Sequence, residues 1–410
     1  MGDGSIRLLH RNPALRALVT SRLVSSAGTW LAYVALTVDV YRRTGSAVWV
    51  SAVLLADFLP TIAVASLAGP WLDRVPRRTL LVASEVGAGA VFAALPFAPS
   101  AAAVVGLALC AGLASAVLNP SIRAALPELV DDEELPRANA VTQTAATAGM
   151  AAGPALAGLL VAAGGVDVAY LLNAVSFAIS AALLTRLPAL GREEAPEEPA
   201  PRTYRQTLAD GFRVFRRSAD LRLVLGVSMI AALGGAVVNV GEIFVARQAF
   251  HAGTIGFGLL ASASGTGIVV GSALASRIRA NAAVRACGVG LLVFAAGFGA
   301  AALAPALAIA AACVVVGGIG NAVFIAASTL VVQQSADDAI RGHAFAIFDA
   351  AGAVALGTGL AAGGFVVAGA GARGAWLAAA AVVAVGAAAM LALHAAAHEA
   401  SSTRAESVLT

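Results

Sequence analysis

The sequence contains no lysine and little charge of either sign. Of its 410 residues, 12% are charged, against roughly 25% in soluble globular chains. With 60% hydrophobic residues, too few polar side chains remain to cover a large soluble core, so a soluble enzyme is excluded. Cysteine is also scarce. Cys110, Cys287 and Cys313 each fall inside an apolar run without metal-ligand spacing, which excludes a disulfide framework and a zinc module. The five histidines form no metal or Ser-His-Asp constellation. Glycine runs such as "GTGIVVG" (265–271) lie within apolar stretches and lack the lysine of a phosphate-binding loop. No cofactor, no metal and no nucleic-acid partner is expected, the chain is not expected to be an enzyme, and an ion gradient is left as the energy source.

What is present is length in apolar runs. A spanning helix needs about 20 mostly apolar residues. Such runs lie at about 15–41, 46–68, 79–97, 101–121, 138–163, 167–187, 222–246, 254–276, 284–303, 306–332, 342–368 and 374–395. They are continuous and rich in Ala and Leu, which argues against barrel strands with alternating polarity. The reading is an all-α integral membrane protein with twelve transmembrane helices in two pseudo-symmetric six-helix bundles. The N-terminus feeds basic residues into a long first span without a small-residue cleavage site, so no cleavable leader is expected.

All 26 basic residues are arginine. With so much alanine and glycine, this points to a GC-rich genome rather than to function; their placement is informative. If the N-terminus is cytoplasmic, the inner segments hold every arginine except Arg42, Arg43, Arg247 and Arg373. The positive-inside rule therefore predicts cytoplasmic termini in a cell inner (plasma) membrane. The polar stretch 188–221 divides an N-terminal six-helix half (1–187) from a C-terminal half (222–395), with a cytoplasmic tail at 396–410. Within it, Leu208, Phe212 and Phe215 at helical spacing among arginines predict an amphipathic helix on the anionic inner leaflet. A solvated basic linker is the alternative.

The halves echo one another. Arg137-Ala138-Asn139-Ala140 aligns with Arg341-Gly342-His343-Ala344, Gly153 with Gly357, and Gly69 with Gly271. Repeats of this kind bring a substrate site to the bilayer midplane.

The loop after the second span reads "GPWLDRVPRR" (69–78), dense in charge between two apolar runs. It resembles the signature of the major facilitator superfamily, roughly Gly-x-x-x-Asp-Arg-x-Gly-Arg-Arg. Gly69, Asp73, Arg74, Arg77 and Arg78 match, and Pro76 replaces the second glycine. "SRLVSSAG" (21–28), "TGSA" (44–47), "LPELV" (126–130) and "GMAAGPALAG" (149–158) are similar to the drug:proton antiporter branch that includes macrolide-efflux-like exporters. The resemblance implies a secondary transporter, with a small-molecule substrate and membrane lipids as partners, acting as a monomer. It also implies that the loop is a conformational latch. Asp73 is expected to sit against a helix N-terminus of the other half, at span 11, and to pair with arginines when the cytoplasmic side closes. Topology alone explains Arg74, Arg77 and Arg78 but leaves Asp73 and Gly69 without a reason. Many members of the branch carry an acid where this chain has Thr29, so no proton-coupling acid carries over to that position.

Two further sets of residues stand out. Gly149, Gly153, Pro154 and Gly158 are read as one small-residue face of span 5 that packs against Gly265, Gly267 and Gly271 of span 8 as a gate. Charges inside spans are costly, at least ~2.5–3.5 kcal/mol at the bilayer centre, and mark function. Asp39 and Glu242 lie near outer span ends beside arginines and read as interfacial pairs. Glu85 follows the arginine loop by two turns, within reach of the latch. Asp57 lies about 18 Å from Gly69 along the helix, near the midplane, and Pro60 frees a backbone carbonyl close to it. Asp57 is the favoured proton site, with Arg22 and Asp349 as secondary cavity charges; a structural hydrogen bond to a neighbouring span is the alternative. Asn119, Asn173, Asn239 and Asn321 either bind substrate or bridge helices.

The function predicted is export of an amphipathic small molecule by proton antiport with alternating access. The alternatives are a proton-coupled uptake symporter and a transport-inactive sensor or assembly factor of the same fold. Replacing Asp73 with Asn keeps volume and removes charge. Transport is expected to fall sharply while membrane insertion persists; normal transport by Asp73→Asn protein at wild-type abundance would defeat the latch.

Overall fold

The computed structural model describes residues 3–67, 75–190, 215, 218–335 and 341–409, and among these there is no strand. This follows from the solvent. An apolar chain in lipid must satisfy each backbone N–H and C=O internally, and a helix does so within one segment. The helices are α1 (Asp3–Arg11), α2 (Pro13–Thr44), α3 (Ala47–Leu67), α4 (Arg77–Ala94), α5 (Ala101–Ser115), α6 (Leu118–Leu129), α7 (Leu135–Leu184), α8 (Ala219–Phe244), α9 (Gly253–Ala275), α10 (Ala283–Leu303), α11 (Leu307–Ser335) and α12 (Arg341–Leu409). Among the described residues, nine helical stretches are long and apolar enough to cross a membrane, and Ala47–Pro60 is a shorter apolar helix.

Local chemistry sets the ends. Asn12 caps α2 by accepting from the Leu15 amide at 2.9 Å, and its own amide donates to the Leu129 carbonyl at 2.6 Å. One side chain thus starts α2 and ties it to the end of α6. The fourth apolar run continues past its predicted end at 121, because Ile122, Ala125, Leu126 and Leu129 of α6 are buried. A π-helical turn, Val245–Ala249, extends α8.

α7 and α12 are too long to be single spans: 50 residues run ~75 Å against a hydrocarbon core of ~30 Å. Each is broken by a glycine, Gly165 (φ 84°, ψ 176°) in α7 and Gly371 (φ 71°, ψ 169°) in α12. This backbone conformation is essentially restricted to glycine. Two more glycines, Gly45 and Gly253, share a φ of 62°; they sit at the turns after the first and seventh apolar runs. The left-handed glycines therefore recur in pairs at matching places of the two halves, a repeat marker that the side-chain alignment does not contain.

Contacts divide the chain into two compact units: Met1–Glu198 with Glu242–Gly265, and Pro199–Gly241 with Thr266–Thr410. In the first, α2 lies along α7, α4 packs on α7, and α3 packs on α5. One end of it is a cluster of Leu15, Leu18, Leu81, Leu126, Leu184 and Leu187, among others. In the second, α10 packs between α11 and α12, and Trp376, fully buried, donates to the Val238 carbonyl at 3.0 Å. Large apolar side chains such as Leu159, Val175, Ile309 and Phe365 are exposed, as lipid-facing positions are when the surrounding solvent is hydrocarbon.

The glycine face of the fifth run needs correction. A Cβ at Gly149 would lie 2.6 Å from the Ala27 amide, and one at Gly153 would lie 2.7 Å from the Ala27 carbonyl, so both face α2. Gly158 faces α9 instead, with Thr254 O at 3.1 Å and Gly258 Cα at 3.3 Å. The reason is helical phase: Gly149 and Gly153 are four residues apart, whereas Gly158 is two and a half turns from Gly149 and points the opposite way. The same holds in α9. Gly265 meets Ala151 of α7, but Gly267 and Gly271 face Gly318 and Ile319 of α11. The two runs therefore touch through Gly158, Gly258 and Gly265, with the Pro154 carbonyl against Gly258. The amphipathic segment around Leu208 and Phe212 lies outside the described residues; Phe215 is buried.

Gly153→Val should push α2 from α7 and lower stability by about 1–3 kcal/mol, the usual range for overpacking. Gly226→Ala, where nothing lies within 4 Å, should leave it level or raised. Thermal unfolding of detergent-purified protein measures both.

Candidate functional site

Among its described residues, the first unit carries three groupings of charged side chains in a largely apolar interior. At the end where α2 and α4 begin, Arg77 donates to the Ala124 carbonyl at 2.7 Å and pairs with the carboxylate of Glu128. Its backbone amide donates to the Leu190 carbonyl at 3.1 Å. Arg77 therefore braces the start of α4 against α6 and against the segment after α7. Glu128 is the acid of "LPELV", so two motifs far apart in sequence meet in one ion pair. Arg78 is half-buried. Gly69, Asp73 and Arg74 lie outside the described residues.

The second grouping lies deeper. Glu85 on α4 is 1% exposed, and neither carboxylate oxygen has a hydrogen-bond partner among the described residues. The hydroxyls of Ser25 and Ser180 face it without closing to that geometry, and Arg22 of α2 is its charged neighbour. Arg22 is half-buried and also feels Arg123 of α6. Ser21 and Ser180 share a hydrogen bond of 2.7 Å. Arg22 acts on Glu85 through its charge, without an ion pair between them among the described residues. Asp57, half-buried on α3, has no hydrogen-bond or ion-pair partner among the described residues. Its backbone carbonyl packs against Gly112 of α5, which Pro60 also approaches.

The third grouping is at the far end of α2. Asp39 is buried; it accepts from Arg43 Nε at 2.8 Å and from the Tyr170 hydroxyl at 3.0 Å. Arg43 also donates to the Ala98 carbonyl at 3.0 Å. The expected pairing of Asp39 is present, with Tyr170 as an addition. Glu242, 5% exposed, accepts from the Tyr33 hydroxyl at 3.1 Å. Its expected neighbour Arg247 instead lies over the Tyr41 ring, 5.1 Å from the centroid, and reaches Thr254 Oγ1 at 3.4 Å. Phe257 packs against Tyr33, with ring centroids 5.9 Å apart.

Elsewhere, Asn173 is fully buried, accepts from Ser176 of its own helix at 3.1 Å and packs against Gly28, while its amide nitrogen has no hydrogen-bond partner among the described residues. Thr29 donates to the Ser25 carbonyl at 2.9 Å within its own helix. In the second unit, Asp220 pairs with His394 at 3.1 Å, and Asp349 is exposed on α12. Among the described residues no cluster of His, Cys, Asp or Glu is arranged to hold a metal ion. Sequence reading missed Tyr33, Tyr170 and Arg123. Tyr33 and Tyr170 are aromatics among others in apolar runs, and their acids are 209 and 131 residues away, so no local signal marks them.

A family model described as "Transmembrane secretion effector" matches residues 9–409. The enterobactin exporter EntS of Citrobacter koseri is 29% identical over 279 residues, 65% of this chain and 64% of that protein. EntS of Shigella boydii is 30% identical over 237 residues, 56% and 55% of the two chains. YfiS of Bacillus subtilis, an MFS-type transporter, is 25% identical over 66% of each. The matches thus span between about half and two thirds of those relatives' lengths. Among solved structures, a bacterial homologue of the human lysosomal transporter Spinster aligns with TM-score 0.72 at 15% identity, covering 92% of this chain and 95% of that one. The nucleoside transporter NupG aligns with TM-score 0.71 at 15% identity, covering 93% and 99%. At such identities the likeness shows the fold.

Tyr33→Phe removes the side-chain donor that the described residues give to the buried Glu242 carboxylate. Stability should fall by about 1–3 kcal/mol, the cost of an unsatisfied buried polar group, read as a lower thermal midpoint at neutral pH. An unchanged midpoint would mean that Glu242 is satisfied without Tyr33.

Proposed function

The chain belongs to the transmembrane secretion effector family of the major facilitator superfamily, a family of membrane transporters, and from that premise we propose that it exports an amphipathic small molecule in exchange for protons. The observation that carries the reading is the set of acids kept inside an apolar helical fold: Glu85, Glu242 and Asp57. Each costs free energy to hold there, and intramembrane acids of this kind mark ion pathways. With few charges in total, the interior suits a largely apolar cargo. Two relatives named as exporters support the outward direction.

In this proposal twelve spans form two six-helix halves in the inner membrane, with both termini in the cytoplasm and the monomer as the working unit. Gly69, Asp73, Arg74, Arg77 and Arg78 latch the cytoplasmic side. Arg77, braced on Glu128 and Ala124, gives that loop a fixed foot. Asp57, Arg22 and Asp349 are cavity charges available to proton and cargo. Opening on alternate sides then exchanges one for the other.

Two measurements test this. Purified protein in liposomes should accumulate ethidium against its gradient when a pH gradient is imposed, and dissipating the pH gradient should stop it. Ethidium movement that ignores the pH gradient would remove proton antiport. Tags on either terminus should resist external protease in intact cells; cleavage of both from outside would overturn the orientation.

A further inference from the structure

Among the described residues, Glu85 is the most deeply buried acid, and its surroundings do not complete it. Asp39 has Arg43 and Tyr170, and Glu242 has Tyr33. Glu85 has both oxygens sealed from solvent, with the Ser25 and Ser180 hydroxyls close by but not closed to hydrogen-bond geometry. It sits eight residues past Arg77, ~12 Å along α4. An ionised carboxylate in that position lacks both water and hydrogen bonds, whereas the neutral acid does not incur that penalty. The charged groups that act there are Arg22 from α2, whose charge acts on Glu85, and Arg123 from α6, whose charge acts on Arg22. The remaining polar groups are hydroxyls: Ser21 and Ser25 from α2 and Ser180 from α7.

We propose that Glu85 is the group that takes up and releases the exchanged proton, and that Arg22 transmits its protonation state. The proposal rests on the proton-antiport reading. Protonation adds one proton, drawn from water, to one carboxylate oxygen and forms no other covalent bond. The neutral acid leaves Arg22 and Arg123 as two like charges, so Arg22 is repelled and free to turn. Loss of the proton restores a carboxylate that attracts Arg22 and offsets that repulsion. Proton loading thus changes where a half-buried guanidinium points, which is a mechanical output. Asp57 lacks an equivalent, because no charged partner stands at its side chain among the described residues.

Infrared difference spectra of the purified protein, titrated in pH, test the site without any cargo. A protonated-carboxyl band should vanish as pH rises in the wild type, be absent from Glu85→Gln, and return at a displaced frequency in Glu85→Asp. Glu85→Asp also guards against a Gln variant that fails to fold, since its shifted band assigns the group by itself. In liposomes, Glu85→Gln should lose pH-driven ethidium accumulation while still binding ethidium, and Glu85→Asp should recover accumulation. A titrating band that survives in Glu85→Gln, or that disappears in Asp57→Asn instead, overturns the proposal, as does uphill accumulation by Glu85→Gln. A titrating Glu85 band in wild-type protein that moves no ethidium leaves the proton site standing and removes the antiport reading.

Discussion

A charge buried in a membrane fold has no water to turn to, so the protein must supply its partner. That constraint organises the first unit. Asp39 draws Arg43 and Tyr170 to one point and so fixes the far end of α2 against α7. Glu242 draws Tyr33 and fixes α2 against the end of α8. Arg77 joins α4 to α6 at the opposite end. The apolar surface gives these helices no orientation relative to one another, because lipid competes equally well for it. Close packing of small residues and a few polar bonds do the orienting.

Legibility followed the same division. Spans depend on the composition of about twenty neighbouring residues, and that is written locally. The charged loop and "LPELV" were also visible as strings, although their meeting through Arg77 and Glu128 was not. Residue contacts between helices depend on phase and on partners far along the chain. Gly149, Gly153 and Gly158 illustrate the first difficulty: they form a motif in sequence and two opposite faces in space. Glu242 illustrates the second. Arg247, five residues on, was the obvious partner, yet the hydrogen bond comes from Tyr33, 209 residues away. A nearby arginine gives charge balance at the end of a span, but geometry at the π-helical turn carries it over Tyr41 instead.

The segment Glu242–Gly265 shows why halves of sequence and units of contact differ. It follows the linker, in the second half by count, yet its contacts are with α2 and α7. Gly158 against Gly258, and Gly265 against Ala151, bring two backbones to van der Waals distance. Such contact is short-ranged and is lost with a small displacement. A joint made of glycine and alanine can therefore be tight without being permanent, as a transporter that opens and closes requires.

The left-handed glycines bear on the gene as well as on the protein. No atom lies within 4 Å of where a side chain would start at Gly165 or Gly371, so there is room for a larger residue at both. The obstacle is the backbone angle. A glycine codon becomes, by one change at its second base, a codon for alanine, valine, aspartate or glutamate, and none of these residues adopts that conformation readily. Two positions at loosely packed turns are thus brittle to point mutation although nothing crowds them. Because the same turn occurs twice, at Gly165 and at Gly371, the target is doubled rather than backed by a spare.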